Sequence, residues 1–181
     1  MQSDTIIAQP IRLILSDVDG VLTDGSLTID NSGVESKTFH VRDGTAIKLW
    51  QKCGFTFGLL TARNSQIVKL RAAELGIEIV RQGFSEKLSV ARDIFAQLRV
   101  TAAETCYVGD DLQDLPLLYE VGLPVAVCDA ATEVIDSAKW ITKATGGRGA
   151  VRELIERLLK AKGLWEDCLP PRSIQGMANR D

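Results

Sequence analysis

The stretch from Ile11 to Gly25 constrains this chain more than any other. A branched, apolar run from Ile11 to Leu15 stops at Ser16; two carboxylates, Asp17 and Asp19, follow at once, with Gly20 and Gly25 behind them. Such a run, bounded by Asp and Gly, reads as a buried strand that ends abruptly. Open parallel sheets keep their chemistry at the carboxyl ends of strands, so Asp17 and Asp19 stand where a hard cation and a phosphate would be met. The same residues also suit a strand followed by a simple turn. Other polar groups converging on them would decide between the two.

The pattern downstream supplies the sheet. Phe55–Leu60, Ile77–Val80, Thr105–Val108, Leu123–Val127 and Lys139–Thr142 read as further short strands. Helical spacing lies between them: Ala46, Leu49 and Trp50 after an N-cap at Asp43; Ile67, Leu70, Ala73 and Leu75; Leu88, Ala91, Ile94, Phe95 and Leu98; residues 112–119, with Pro116 in the first turn; and residues 131–137. A closing amphipathic helix carries Val151, Leu154, Ile155, Leu158 and Leu159. Strands alternating with helices imply an α/β fold, a Rossmann-like doubly wound parallel sheet covered on both faces. Residues 26–40 break the rhythm: apolar and polar residues alternate on both sides of Asp30-Asn31-Ser32-Gly33, the signal of an inserted β-hairpin. Such a hairpin suits a lid, an oligomer contact or a plain surface feature. The expected organisation is a single domain over 1–181, with loose residues 1–10 and a flexible tail from about 164, where Pro170-Pro171 follows Gly163.

Composition excludes several functions. A net charge of −3 gives no electrostatic footprint for nucleic acid. No apolar segment is long enough to span a bilayer, and the first residues lack a secretory signal pattern. His40 is the only histidine, which argues against a Ser-His-Asp triad and a structural zinc site. Cys53, Cys106, Cys128 and Cys168 are scattered; Cys106 and Cys128 read as small core residues, and a reducing, cytoplasmic setting follows.

At the strand-to-helix turns stand Asp17 and Asp19; Thr61 and Arg63; Lys87; Asp110, Asp111 and Asp114; and Gly147 with Arg148. Five acids, a hydroxyl and several cations on one rim are what metal-assisted phosphoryl transfer requires. Mg²⁺ takes oxygen ligands and keeps waters, so Asp17 and Asp110 suffice as carboxylate donors. Asp17 then attacks phosphorus, giving an aspartyl-phosphate, and Asp19 serves as acid and base. Thr61 and Lys87 face the transferring oxygens, with Lys87 also holding Asp17 and Asp110. Asp111 and Asp114 share a helix face and support the site rather than bind metal directly. Each has a plainer alternative: Asp111 as a helix cap, Lys87 and Arg63 as solvated cations, Gly146–Gly149 as a loop.

These residues resemble the haloacid dehalogenase superfamily of aspartate-nucleophile phosphatases. Asp17-Val18-Asp19-Gly20-Val21-Leu22-Thr23-Asp24-Gly25, Leu60-Thr61, Lys87 and Gly109-Asp110-Asp111-Leu112-Gln113-Asp114 are similar to its four motifs, in order. The hairpin, His40-Val41-Arg42-Asp43-Gly44 and Gly146-Gly147-Arg148-Gly149 resemble its small capless branch, which includes phosphatases of 3-deoxy-D-manno-octulosonate 8-phosphate (KDO 8-phosphate). That resemblance implies a sugar-acid phosphate substrate in lipopolysaccharide synthesis and a Mg²⁺ held by the Asp17 carboxylate, the Asp19 carbonyl and Asp110. It also implies Arg63 and Arg148 near the substrate's anionic groups, and a homotetramer joined through hairpins. The branch's C-terminal tail, weakly matched by Ser173-Ile174-Gln175-Gly176, reaches a neighbouring site. Ala62 stands where many relatives carry glycine, which leaves a nine-carbon sugar-acid phosphate as an alternative substrate. A non-catalytic phospho-acceptor domain is the alternative from another class; Asp19, two residues after the nucleophile, argues against it.

Overall fold

The computed structural model describes residues 3–169. Six parallel strands form the sheet: β1 (Leu13–Ser16), β4 (Thr56–Thr61), β5 (Ile79–Gln82), β6 (Thr105–Gly109), β7 (Leu123–Ala126) and β8 (Trp140–Ile141). Their spatial order is β5-β4-β1-β6-β7-β8. The chain moves outward from β1 to β4 and β5, then crosses to build the other half from β6. Connections leaving β1 and β6 therefore diverge, and a crevice opens between their carboxyl ends. The register aligns Ser16 with Val108, so Asp17 leaves β1 beside the end of β6, its N–H donating to Val108 O at 3.0 Å.

Alternation along β1 assigns its side chains to two cores. Ile14 faces the layer of α2 (Val41–Lys52), α3 (Gln66–Leu75) and α7 (Ala150–Ala161), packing with Ala46, Ile47, Trp50, Val68 and Leu158. Leu13 and Leu15 face α4 (Lys87–Leu98), α5 (Leu115–Leu118) and α6 (Thr132–Ser137), with Ala91, Ile94, Leu117 and Val134. Burial on both faces explains why the central strands are continuously apolar.

The inserted hairpin is present but short: β2 (Thr28–Ile29) pairs antiparallel with β3 (Glu35–Ser36). Asp30 organises the turn, its Oδ1 accepting from Ser32 N and Val34 N at 2.8 and 2.9 Å.

Three expectations are corrected. Residues 4–8 are not loose: α1 (Asp4–Ala8) buries Ala8, and Arg157 on α7 forks onto the Asp4 carboxylate at 2.7 and 2.8 Å. Asp43 is not the N-cap of its helix. That position is His40, and Asp43 lies in the first turn with its side chain turned to α7. Residues 164–169 pack rather than hang free, with Leu164, Trp165 and Cys168 against the core and a 3-10 turn over Glu166–Cys168. Apolar Trp165 also accepts the guanidinium of Arg152 over its ring at 5.0 Å. Ser173–Gly176 lie outside the described residues.

Candidate active site

Asp17 sits 3% exposed at the end of β1 with both oxygens engaged: Val18 N donates to Oδ1 at 2.7 Å and Lys87 Nζ lies 2.7 Å from Oδ2. Lys87 is 3% exposed in the first turn of α4 and touches a second carboxylate, Asp114, at 2.5 Å. The expected partners of Lys87 are Asp17 and Asp110; the structure pairs it with Asp17 and Asp114.

Asp114 is fully buried and saturated. Oδ1 receives Lys87 Nζ and the Tyr107 hydroxyl at 2.6 Å; Oδ2 receives Asp110 N at 2.8 Å and Asp111 N at 3.2 Å. It thereby shapes the loop that carries Asp110. Asp111 is exposed and caps the 3-10 turn over Leu112–Asp114, so its plainer reading as a cap holds.

Oxygens of Asp17, Asp110 and Asp114 lie within 4.8 Å of one another. Since every acceptor direction of Asp114 is taken, the pair with free capacity is Asp17 and Asp110. Asp110 Oδ1 is buried without a partner. Burial first, then the neighbouring charges of Asp17 and Asp114, pushes the Asp110 carboxyl up to about 8. Burial likewise raises Asp17 to about 6, against the pull of Lys87. Two carboxylates that resist ionising together, one with an orphaned oxygen, fit a divalent cation. The backbone makes room for this arrangement at Gly20, whose φ is +93° and where a Cβ would lie 2.0 Å from Asp110 Oδ2.

Asp19 faces the hairpin. Its Oδ1 meets Lys37 Nζ, whose side chain is shielded from water, and its Oδ2 is buried without a hydrogen bond, 3.9 Å from Arg63 Nε. Glu35 ties the group together: Oε1 lies 3.5 Å from Lys37 Nζ and 3.3 Å from Arg63 Nη2, while Oε2 accepts from Ser65 Oγ at 2.8 Å. The hairpin thus reaches over its own site. Thr61, 2% exposed at the end of β4, accepts from Arg63 N at 3.3 Å, which leaves its hydroxyl proton free to donate.

Gly146–Gly149 is not a plain loop. Gly147 N donates to Val21 O at 2.9 Å and Gly146 N to Asp129 Oδ1 at 2.9 Å, so it packs on the loop after β1. Arg148 is exposed and lies 4.0 Å from Asp24, at the rim rather than among the acids.

Sequence reasoning missed Glu35, Lys37, Ser65 and Tyr107. The signal for Glu35 and Lys37 was their parity in the hairpin, since residues two apart share a face. Tyr107 carried no such mark; within a buried strand it reads as apolar.

A haloacid dehalogenase-like hydrolase family pattern matches residues 67–155. The chain is 44% identical over 156 residues to the 3-deoxy-D-manno-octulosonate 8-phosphate phosphatase of Escherichia coli K12, spanning 86% of this chain and 83% of that one. The chain belongs to the haloacid dehalogenase-like hydrolases. Two solved structures of this hydrolase family extend the likeness to the fold. The Yersinia pestis 3-deoxy-D-manno-octulosonate 8-phosphate phosphatase superposes with a TM-score of 0.89 at 38% identity, over 92% of this chain and 90% of that one. The Moraxella catarrhalis phosphatase of the same name, in complex with a magnesium ion, a phosphate ion and a KDO molecule, gives 0.89 at 35% identity, over 91% and 94%. The resemblance read from the four motifs holds, as does the Rossmann-like parallel sheet.

Proposed function

We propose that this hydrolase cleaves KDO 8-phosphate to KDO and phosphate with Mg²⁺, a step of lipopolysaccharide synthesis. The observation that carries the substrate is the 44% identity, over most of both chains, to a phosphatase of that name. The Moraxella catarrhalis relative in complex with magnesium, phosphate and KDO supports it.

The Asp17 and Asp110 carboxylates and the Asp19 main-chain carbonyl would hold the metal. Bound there, Mg²⁺ would screen the charge of the phosphoryl group. Asp17 attacks phosphorus while the Thr61 hydroxyl and Lys87 ammonium compensate the equatorial oxygens. The ester P–O bond breaks as Asp19 gives a proton from Oδ2 to the departing sugar oxygen. Asp19 then takes a proton from water, whose oxygen displaces Asp17 from phosphorus. Lys87, held between Asp17 and Asp114, keeps the nucleophile aimed; Asp114 and Asp111 order the Asp110 loop. Arg63 and Arg148 receive the substrate's carboxylate and outer polar groups.

The enzyme works in the cytoplasm as a homotetramer. The described cysteines are free thiols, which suits that compartment, and Leu27, Ile29 and Val34 on the hairpin with Val41 and Leu70 beside it are exposed apolar side chains that suit an assembly surface. Among the described residues no helix is long and apolar enough to cross a membrane.

Phosphate release from KDO 8-phosphate and from nine-carbon sugar-acid phosphates, with Mg²⁺ or with chelator, tests the reading. We expect metal-dependent turnover with the eight-carbon acid preferred, and none with Asp17→Asn. Faster turnover of the nine-carbon acids overturns the substrate; full activity of Asp17→Asn overturns the mechanism. A monomeric mass in solution overturns the assembly.

A further inference from the structure

Cys53 and Cys168 stand 115 residues apart in sequence, yet their sulfurs lie 3.4 Å apart. Both are half-buried free thiols, unlike fully buried Cys106. Cys53 ends α2 and Cys168 closes the 3-10 turn that follows α7. Cys168 Sγ donates to Leu164 O at 3.3 Å, so the proton between the sulfurs belongs to Cys53. Each is fixed by local backbone: Cys53 N bonds to Leu49 O at 3.1 Å and Cys168 N to Trp165 O at 3.0 Å. Leu164, Trp165 and Cys168 pack on the same core that receives Cys53, so the sulfurs meet through packing and not through chain proximity.

We propose that Cys53 and Cys168 form a dithiol site for low-molecular-weight disulfides, which convert the pair to an intramolecular disulfide. Bonding requires the sulfurs to close by about 1.3 Å, within the reach of a small side-chain rotation. Burial and the neighbouring sulfur raise the Cys53 thiol to about 11, and it sits at a helix C-terminus, where an anion is disfavoured. Cys168 is therefore the attacking thiol. Its thiolate displaces one thiol from the small disulfide and forms a mixed disulfide. Cys53, giving up its proton to solvent, then attacks Cys168 Sγ and expels the second thiol. Two protein thiols and one small disulfide become one protein disulfide and two small thiols.

The crosslink ties the last described turn to the end of α2. Cys53 precedes β4 at the amino edge of the sheet, whereas Thr61 and Asp17 lie at the carboxyl edge. Oxidation therefore changes stability and the anchoring of the C-terminal turn, not the phosphoryl site. The closed loop is long, so a rise in Tm on the order of 10 °C is expected.

The full-length protein is incubated folded with oxidised glutathione, then unfolded and its thiols counted. We expect the count to fall from four to two, the mass to fall by about two daltons, and one peptide pair to join Cys53 to Cys168. Dithiothreitol should reverse all three, and Cys53→Ser should instead retain a glutathione adduct on Cys168. Persistence of four thiols, glutathione adducts on the unaltered protein without a crosslink, or a link through Cys128 overturns the proposal. So does an oxidised form whose Tm equals that of the reduced form.

Discussion

Asp43 Oδ1 accepts the main-chain N–H of Arg152 at 2.6 Å, across 109 residues of sequence. Gly149 occupies the N-cap position of α7; its φ of +102° serves the turn, but it brings no side chain to cap the helix. Asp43, in the first turn of α2 and 1% exposed, supplies that acceptor from another helix. The hairpin's exit, α7 and the loop carrying Arg148 are thereby joined.

Removing this cap should loosen the rim from one side. Asp43→Ala should lower stability by about 1–2 kcal/mol, seen as a lower urea midpoint. Because Gly146–Gly149 hangs from the start of α7, KM for KDO 8-phosphate should rise more than kcat falls. An unchanged urea midpoint would show that the bond carries no weight.

Lys37 pairs with both Asp19 and Glu35 while its side chain is shielded from water. A cation there favours the arrival of a phosphomonoester. Lys37→Ala should reduce kcat/KM by about 10- to 100-fold, the worth of one charge-assisted hydrogen bond. Glu35→Gln should do less, since Arg63 keeps Asp19 on the loop after β1 and Ser65 N keeps Gln82 Oε1 on β5. Steady-state kinetics on both variants decide this, and equal losses would put Glu35 rather than Lys37 at the centre of the lid.

Gly20 offers a sharp steric test. A methyl group at a site with φ of +93°, only 2.0 Å from Asp110 Oδ2, forces that carboxylate away. Gly20→Ala should cost about 1–3 kcal/mol and weaken Mg²⁺ binding in calorimetry. Gly33→Ala, which meets nothing within 4 Å, controls for the strain of positive φ alone. If both variants bind Mg²⁺ alike, Asp110 is not the ligand.

Stability should depend on pH in a direction set by Asp110. Its folded value, about 8, lies above that of an unfolded carboxyl. Between roughly pH 4 and 8 the folded, metal-free protein holds a proton on Asp110 that the unfolded chain has released, so stability falls as pH rises, by at most about 1.4 kcal/mol per unit from this group; Asp17, raised to about 6, adds in the same direction below that pH. A Mg²⁺ held by Asp110 would replace that proton, so its stabilising effect should grow from pH 6 to 8. Thermal melts in chelator and in Mg²⁺ across this range check the sign; parallel curves would refute it.

How far the sequence was legible follows from what each residue depends on. Ser16-Asp17, Thr61 and Gly109-Asp110 lie at strand ends, where period and punctuation are local signals. Once the sheet is parallel, their gathering on one edge follows from topology alone. Lys87 was found for the same reason, but its second partner was not. Asp110 and Asp114 are four residues apart, and only the turn between them decides which one faces the lysine.

Strand and turn propensities act over a few residues, and these local signals sufficed for the parallel sheet, the loop after β1 and the acids after β1 and β6. Packing between whole elements set the rest. It turned Asp43 from its own helix to α7, saturated Asp114 so that Asp17 and Asp110 remain for a cation, folded Lys37 and Glu35 over Asp19, and brought Cys53 to Cys168. The Lys37–Asp19, Lys87–Asp114, Asp43–Arg152 and Cys53–Cys168 pairings join residues 18 to 115 positions apart, and their geometry follows from how whole elements pack.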